Sequence, residues 1–176
     1  MSSFDLEEFI EQLRAAARGS EAKAGVCALM HDAFQHPQAI KAAMPEHEND
    51  DEVIFEDDSV SIWFVRFPPG VHVPPHDHQT TAIIGVYEGA EDNHFYLREP
   101  DQLVYKSSRR VGSGDVIALK PDGIHSVEAA NEKPCCGIHV YLAALTTIER
   151  SLFDWDSGVA CRYTDESYEL MKRVTG

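Results

Sequence analysis

Beyond Val53 the chain changes its hydrophobic period. Apolar residues that recur every three or four positions give way to short runs rich in Val, Ile, Phe and Tyr, set between Gly, Pro, Asp and Asn. The runs are Ser59–Phe67, Ala82–Glu88, His94–Arg98, Leu103–Lys106, Val116–Leu119, Ile124–Glu128 and Ile138–Ala143. Strands this short, with turn signals between them, exclude a helical bundle and a doubly wound sheet and predict an antiparallel sandwich or barrel, an all-β class. Helices flank it. Leu6, Phe9, Ile10, Leu13 and Ala17 keep helical spacing behind Asp5-x-x-Glu8, a capping-box pattern, and Gly19 ends the run. Glu21–Phe34 and Pro37–Met44 read as two more helices, and Glu166–Arg173 as a last one. The acidic run through Glu46, Glu48, Asp50, Asp51, Glu52, Glu56, Asp57 and Asp58 reads as a solvated loop and hairpin tip, and Ser151–Gly158 as a loop packing its aromatics on the barrel.

A chain of 176 residues buries roughly two-thirds of its unfolded surface, so its core needs neither disulfide nor metal. It reads as a single domain over 1–176, with a helical prefix at 1–45, a barrel core at 53–145 and a C-terminal loop and helix at 146–176. The formal net charge of −15 repels phosphate backbones and anionic lipid, which argues against nucleic-acid and membrane-surface partners. Cys27, Cys135, Cys136 and Cys161 form no CxxC pair, and the N-terminus shows neither a basic nor an apolar leader segment, so the expected location is cytoplasmic with reduced thiols.

Chemistry concentrates in the histidines. His76 and His78 stand two apart in Pro-Pro-His-Asp-His, a spacing that in a strand points both rings to one face. His125 follows a Pro/Gly turn, and His139 lies in Gly-Ile-His-Val-Tyr on the last long strand. A His-x-His pair with a second histidine strand is a metal-ligand pattern, and His76, His78 and His125 are the candidate ligands. His36, His47, His72 and His94 read as surface or packing residues.

These segments resemble the two motifs of the cupin superfamily. Gly70, His76, His78 and Gly89 match the first, and Gly114, Pro121, Gly123, His125 and Asn131 follow the second loosely, with small shifts in spacing. The resemblance implies a double-stranded β-helix, a jelly-roll barrel with the metal in its mouth. Where the common cupin motif has a ligating Glu, this chain has Ala82. The result is three neutral imidazoles and no carboxylate, as in the thiol dioxygenases, the cysteine dioxygenases and their 3-mercaptopropionate-oxidising relatives. The His-Asp-His spelling and Gly137-Ile-His139-Val-Tyr141 are similar to theirs, although Gly137 replaces a Ser.

What that resemblance implies is a non-haem Fe(II) enzyme, with Ni, Zn or Mn as other metals of the fold, that adds O2 to a small thiol and yields a sulfinate. His139 and Tyr141 would stand beside the metal as catalytic residues, and Thr81 would line the mouth. The family's carboxylate-binding Arg would lie in Glu48–Phe55, which here is acidic and lacks Arg, so Arg66 and Arg98 become the candidates for substrate binding. Two other readings use the same residues: a three-histidine dioxygenase cleaving a β-diketone enolate, and a non-catalytic cupin that holds a metal and a small anion. Exposed barrel edges favour a homodimer.

Overall fold

The computed structural model describes residues 4–175, so Met1–Ser3 and Gly176 lie outside it. Three helices come first, α1 (Leu6–Ala17), α2 (Ala22–Ala33) and α3 (Pro37–Ala43). The strands follow: β1 (Asp51–Glu56), β2 (Ser61–Phe67), β3 (Val71–His76), β4 (Ala82–Glu88), β5 (Ala90–Glu99), β6 (Gln102–Gly112), β7 (Val116–Leu119), β8 (Ile124–Ala129) and β9 (Cys135–Tyr141). After a 3-10 turn at Leu145–Thr147 come β10 (Ser151–Phe153), β11 (Ala160–Arg162), α4 (Asp165–Met171) and β12 (Arg173–Val174).

All pairings are antiparallel and form two facing sheets, ordered β1-β2-β9-β4-β7 and β11-β10-β3-β8-β5-β6, with β12 also on β3. This is a double-stranded β-helix of the cupin type, mostly β with helices at the N-terminus and a short one near the C-terminus. Two expectations are corrected. The acidic run contains β1, whose Val53 and Phe55 pair with Trp63 and Ile62 and whose Ile54 and Phe55 pack on the core, leaving only Asp57–Val60 as the hairpin tip. The segment 151–158 begins as β10, with Leu152 paired to His76 and buried along with Phe153.

The helices are a wall rather than a detached prefix. Phe9, Leu13, Val26, Met30, Phe34 and Ile40 share one core with Ile62, Phe64, Ile83, Tyr87, Ile138 and Val140, the outward residues of β2, β4 and β9. The alternate residues, among them Val65, Ala82, Ile84, Val86 and Tyr141, fill a second core inside the barrel. With both faces covered, β4 and β9 read in sequence as nearly unbroken apolar runs. Phe34 lies against Gly85 of β4, and a Cβ at that glycine would fall inside the van der Waals envelope of the ring.

Asp5 caps α1 by accepting from the Glu8 N–H at 3.0 Å, but Glu8 bonds Gln12 instead of reaching back, so the capping box is half formed. The far end of α1 is tied to the β1–β2 tip. Asp57 Oδ2 accepts from Arg14 Nε and Arg18 Nη2, each at 2.8 Å, while Oδ1 accepts from the Ser59 hydroxyl at 2.6 Å and the Ser59 N–H at 2.8 Å. The Ser59 hydroxyl first, then its N–H and Arg14, hold the Asp57 carboxyl far below the ordinary range.

Two outcomes follow for stability. Gly85→Ala should lower Tm by about 3–10 °C through overpacking, and Phe34→Leu on that background should recover part of the loss; simple additivity of the two in thermal melts would show that the ring does not need the glycine. A depressed folded pKa stabilises above the unfolded value and the gain is lost as pH falls through the folded one, so Asp57→Asn should cost about 1–3 kcal/mol at pH 7 and progressively less below about pH 4. Urea unfolding at both pH values measures the difference, and an equal cost at each would remove the charge from the account.

Candidate metal centre

His76 closes β3, and its Cα partner across the sheet is His125, the second residue of β8. The register shifts between Val73 and His76, where Pro74 and Pro75 supply no ladder donors, and this irregularity sets His76 opposite His125. His78 lies past the end of β3, so strand alternation does not orient it as the sequence reading assumes. A pinned turn does so. Asp77 N–H donates to Ser151 O at 3.2 Å, Asp77 Oδ1 accepts from Ser151 N–H at 3.0 Å, and Gln79, at φ 54°, donates its N–H to Pro121 O at 3.0 Å. Asp77 is thus a structural acceptor.

The three rings converge, with centroid separations of 4.9 Å for His76–His78, 4.5 Å for His76–His125 and 5.1 Å for His78–His125, and one ligand nitrogen from each lies within 4.8 Å of the others. His76 Nδ1 sits 2.8 Å from Pro74 O, so this nitrogen carries the proton and Nε2 is left for a ligand role. His125 Nδ1 sits 2.7 Å from Asn93 Oδ1, and its Nε2 is buried without a partner, as is His78 Nδ1. Burial, ahead of all other causes, pushes His76 down to about 4 and His78 and His125 well below their usual value. Neutral, buried imidazoles with nitrogens lacking a partner fit a divalent metal ion. Ala82, fully buried, brings no carboxylate to the set, which suits an ion of the Fe, Ni, Cu or Zn group better than Mg or Ca.

The rings open into a cavity of about 580 Å³. His139 and Tyr141 line it from β9, with Tyr141 OH 3.3 Å from His139 Nδ1 and the Tyr141 ring 5.3 Å from that of His78. Burial pushes His139 down to about 3 and Tyr141 above its ordinary value, so at neutral pH both are uncharged. Gly137 has a steric cause here, since a Cβ at this position would lie 2.6 Å from Gly85 O on the neighbouring strand.

The proposed substrate residues fare differently. Arg66 lies at the cavity rim and spends its guanidinium on Asp50, with Nε 2.7 Å from Oδ1. Arg98 is outside the cavity, its guanidinium 5.5 Å over the Phe153 ring, because it lies on the exposed end of β5. Thr81 is not in the cavity wall either, being one residue out of phase with inward Ala82. His47 stacks on Phe64, and His72 and His94 share Glu128, so these remain outside the centre.

Two further cations line the cavity, Lys172 and, from the irregular stretch before β10, Arg150. The Arg150 guanidinium carbon lies 4.3 Å over the Tyr163 ring, its charge depresses His76 and His78 further, and among the described residues it forms no ion pair. Sequence reading missed it because nothing periodic marks the segment. Tyr163, Tyr168 and Glu91 also line the cavity.

Residues 65–156, just over half of the chain, match the AraC-like ligand binding domain family. The chain belongs to that family. Among solved structures, this AraC-like domain is similar to the DMSP lyase DddQ from Ruegeria pomeroyi, with 16% identity over 83% of this chain and 94% of that one and a TM-score of 0.51. It is also similar to a conserved protein with a double-stranded β-helix domain from Klebsiella pneumoniae, with 15% identity over 64% of this chain and 87% of that one and a TM-score of 0.50. At these identities the likeness establishes the fold. No helix among the described residues is long and apolar enough to cross a membrane.

His76→Ala, His78→Ala and His125→Ala should each abolish stoichiometric binding of Fe(II) or Zn(II), read by elemental analysis after reconstitution. The fold should persist in all three, because the two cores do not depend on the rings. A His78→Ala protein that still holds a full equivalent would break the assignment.

Proposed function

We propose that this domain is a metal-dependent thiol dioxygenase acting on a small thiol that carries a carboxylate. The observation that supports it most is the meeting, in one cavity, of three neutral imidazoles with no carboxylate, the Tyr141–His139 pair, and a guanidinium that no described carboxylate occupies. The net reaction is R–SH + O2 → R–SO2H, in which both oxygen atoms end on sulfur and the thiol proton is retained on the sulfinic acid or passed to solvent. A divalent ion, Fe(II) for preference, held by His76, His78 and His125 would supply Lewis acidity toward the thiolate and the electron-transfer chemistry that O2 requires.

The chain's own residues set the rest. Arg150, stacked on Tyr163, presents a fork that matches a carboxylate and fixes the direction in which the thiol points. Arg150 thereby takes the role that sequence reading assigns to Arg66 or Arg98. Tyr141 remains a neutral O–H donor at any physiological pH, able to give a hydrogen bond to charge that develops on sulfur or oxygen. His139, neutral as well, holds the hydroxyl in place from the same face of β9. Rim carboxylates Asp51 and Asp165 discourage anionic molecules that Arg150 does not clamp; burial first, then Asp165, raises Asp51.

Oxygen uptake by Fe(II)-loaded protein with 3-mercaptopropionate, L-cysteine and cysteamine tests this reading. Carboxylate-bearing thiols should be consumed one for one with O2, and cysteamine poorly. Arg150→Met should raise KM for those thiols about tenfold or more with a smaller change in kcat, and Tyr141→Phe should lower kcat about tenfold at unchanged metal content and Tm. Iron-loaded protein that consumes no O2 with any thiol would favour a metal- and anion-binding domain without catalysis.

A further inference from the structure

Glu91 is a carboxylate buried inside the barrel with no cation paired to it among the described residues. It is 1% exposed, Asn93 is fully buried, and both point inward from β5. Val111 of β6 and Ala129 of β8 flank Glu91 across the sheet, and Cys135 stands near it on β9. A group so placed is a liability unless it serves the site.

The connection runs through Asn93. Asn93 Nδ2 donates to Glu91 Oε1 at 2.8 Å, which fixes which end of the amide faces which neighbour. The carbonyl end then faces His125, and Oδ1 accepts from His125 Nδ1–H at 2.7 Å. The tautomer of His125 is settled by this relay, and the bare nitrogen is Nε2, the atom buried without a partner in the centre. Glu91 Oε1 accepts whether the carboxyl is charged or neutral, so the orientation holds in both states. Burial pushes the Glu91 carboxyl up to about 7, as for a group that lacks its counter-charge.

The missing charge has an evident source. Three neutral imidazoles would leave a divalent ion with its whole charge in a buried site, and the slot from which cupins commonly offer a carboxylate is Ala82. We propose that Glu91 supplies that negative charge at one remove and, through Asn93, acts as the positioning residue of His125. The inference rests on the metal centre and not on the choice of substrate.

Co(II) titration of metal-free protein, with a competing chelator and with the visible absorption bands recorded, tests it. Glu91→Gln keeps an acceptor for Asn93 but no charge, so it should show the parent's bands with affinity lower by about tenfold. Glu91→Leu loses both, and should bind about a hundredfold more weakly with shifted bands; if it does not fold, Glu91→Ala is read in the same way. Gln binding within about twofold of the parent overturns the charge role, and a Leu or Ala variant that melts early but keeps the parent's affinity and bands shows a packing residue only. Parent protein that binds no Co(II) overturns the centre and this role together. Parent protein that binds Co(II) normally but, loaded with iron, oxidises no thiol ends the substrate reading and leaves the role of Glu91 standing.

Discussion

Keeping three imidazole rings out of water is the most demanding thing this chain does, and much of the local structure answers to it. In two of the rings one nitrogen is satisfied by protein and the other is left without a protein partner. For His76 the solution is a backbone carbonyl two residues away, available because the Pro-Pro irregularity turns that carbonyl out of the ladder. For His125 it is a side-chain relay along β5. His78 has no partner for Nδ1 and is held by its flanks instead, Asp77 on Ser151 and Gln79 on Pro121. The rings are spaced for an ion because the pairing of β3 with β8 sets His76 opposite His125 and the pinned turn adds His78.

The sheet that carries His139 and Tyr141 is held from its other side. Helices α1 to α3 cover β2, β4 and β9, and the closeness of β4 to β9 is what Gly85 and Gly137 permit. Phe34 seats the helical wall on one face at Gly85, while the carbonyl of that residue crowds Gly137. Packing far from the cavity therefore bears on the strand that lines it.

Much of this was legible in the residues. The change of period at Val53 is a direct consequence of side chains alternating across a sheet, and it located β2, β4, β7, β8 and β9 closely. Strand β1 escaped because acids make up half of it and the residues that pack on the core, Ile54 and Phe55, are adjacent and show no alternation. Strands β10, β11 and β12 are two or three residues long, too short for any period. The metal-ligand pattern at His76, His78 and His125 was readable because a strand-edge His-x-His has few other uses. Arg150 was not, since its place over Tyr163 is made by tertiary folding of an irregular segment. Glu91 and Asn93 hid for the opposite reason: in Glu-Asp-Asn the polar residues look like an exposed strand, and nothing local says that two of the three face the interior.

One wall of the cavity comes from the stretch after Tyr141, with Arg150, Tyr163, Thr164, Tyr168 and Lys172 closing over rings that lie earlier in the chain. Vectorial synthesis therefore finishes His76, His78, His125 and their supporting strands before the residues that shelter them. The later stretch is joined to the earlier one on β3, where Leu152 pairs with His76 and Arg173 with His72. The rings therefore come from the earlier part of the polypeptide and the wall that shelters them from the later part.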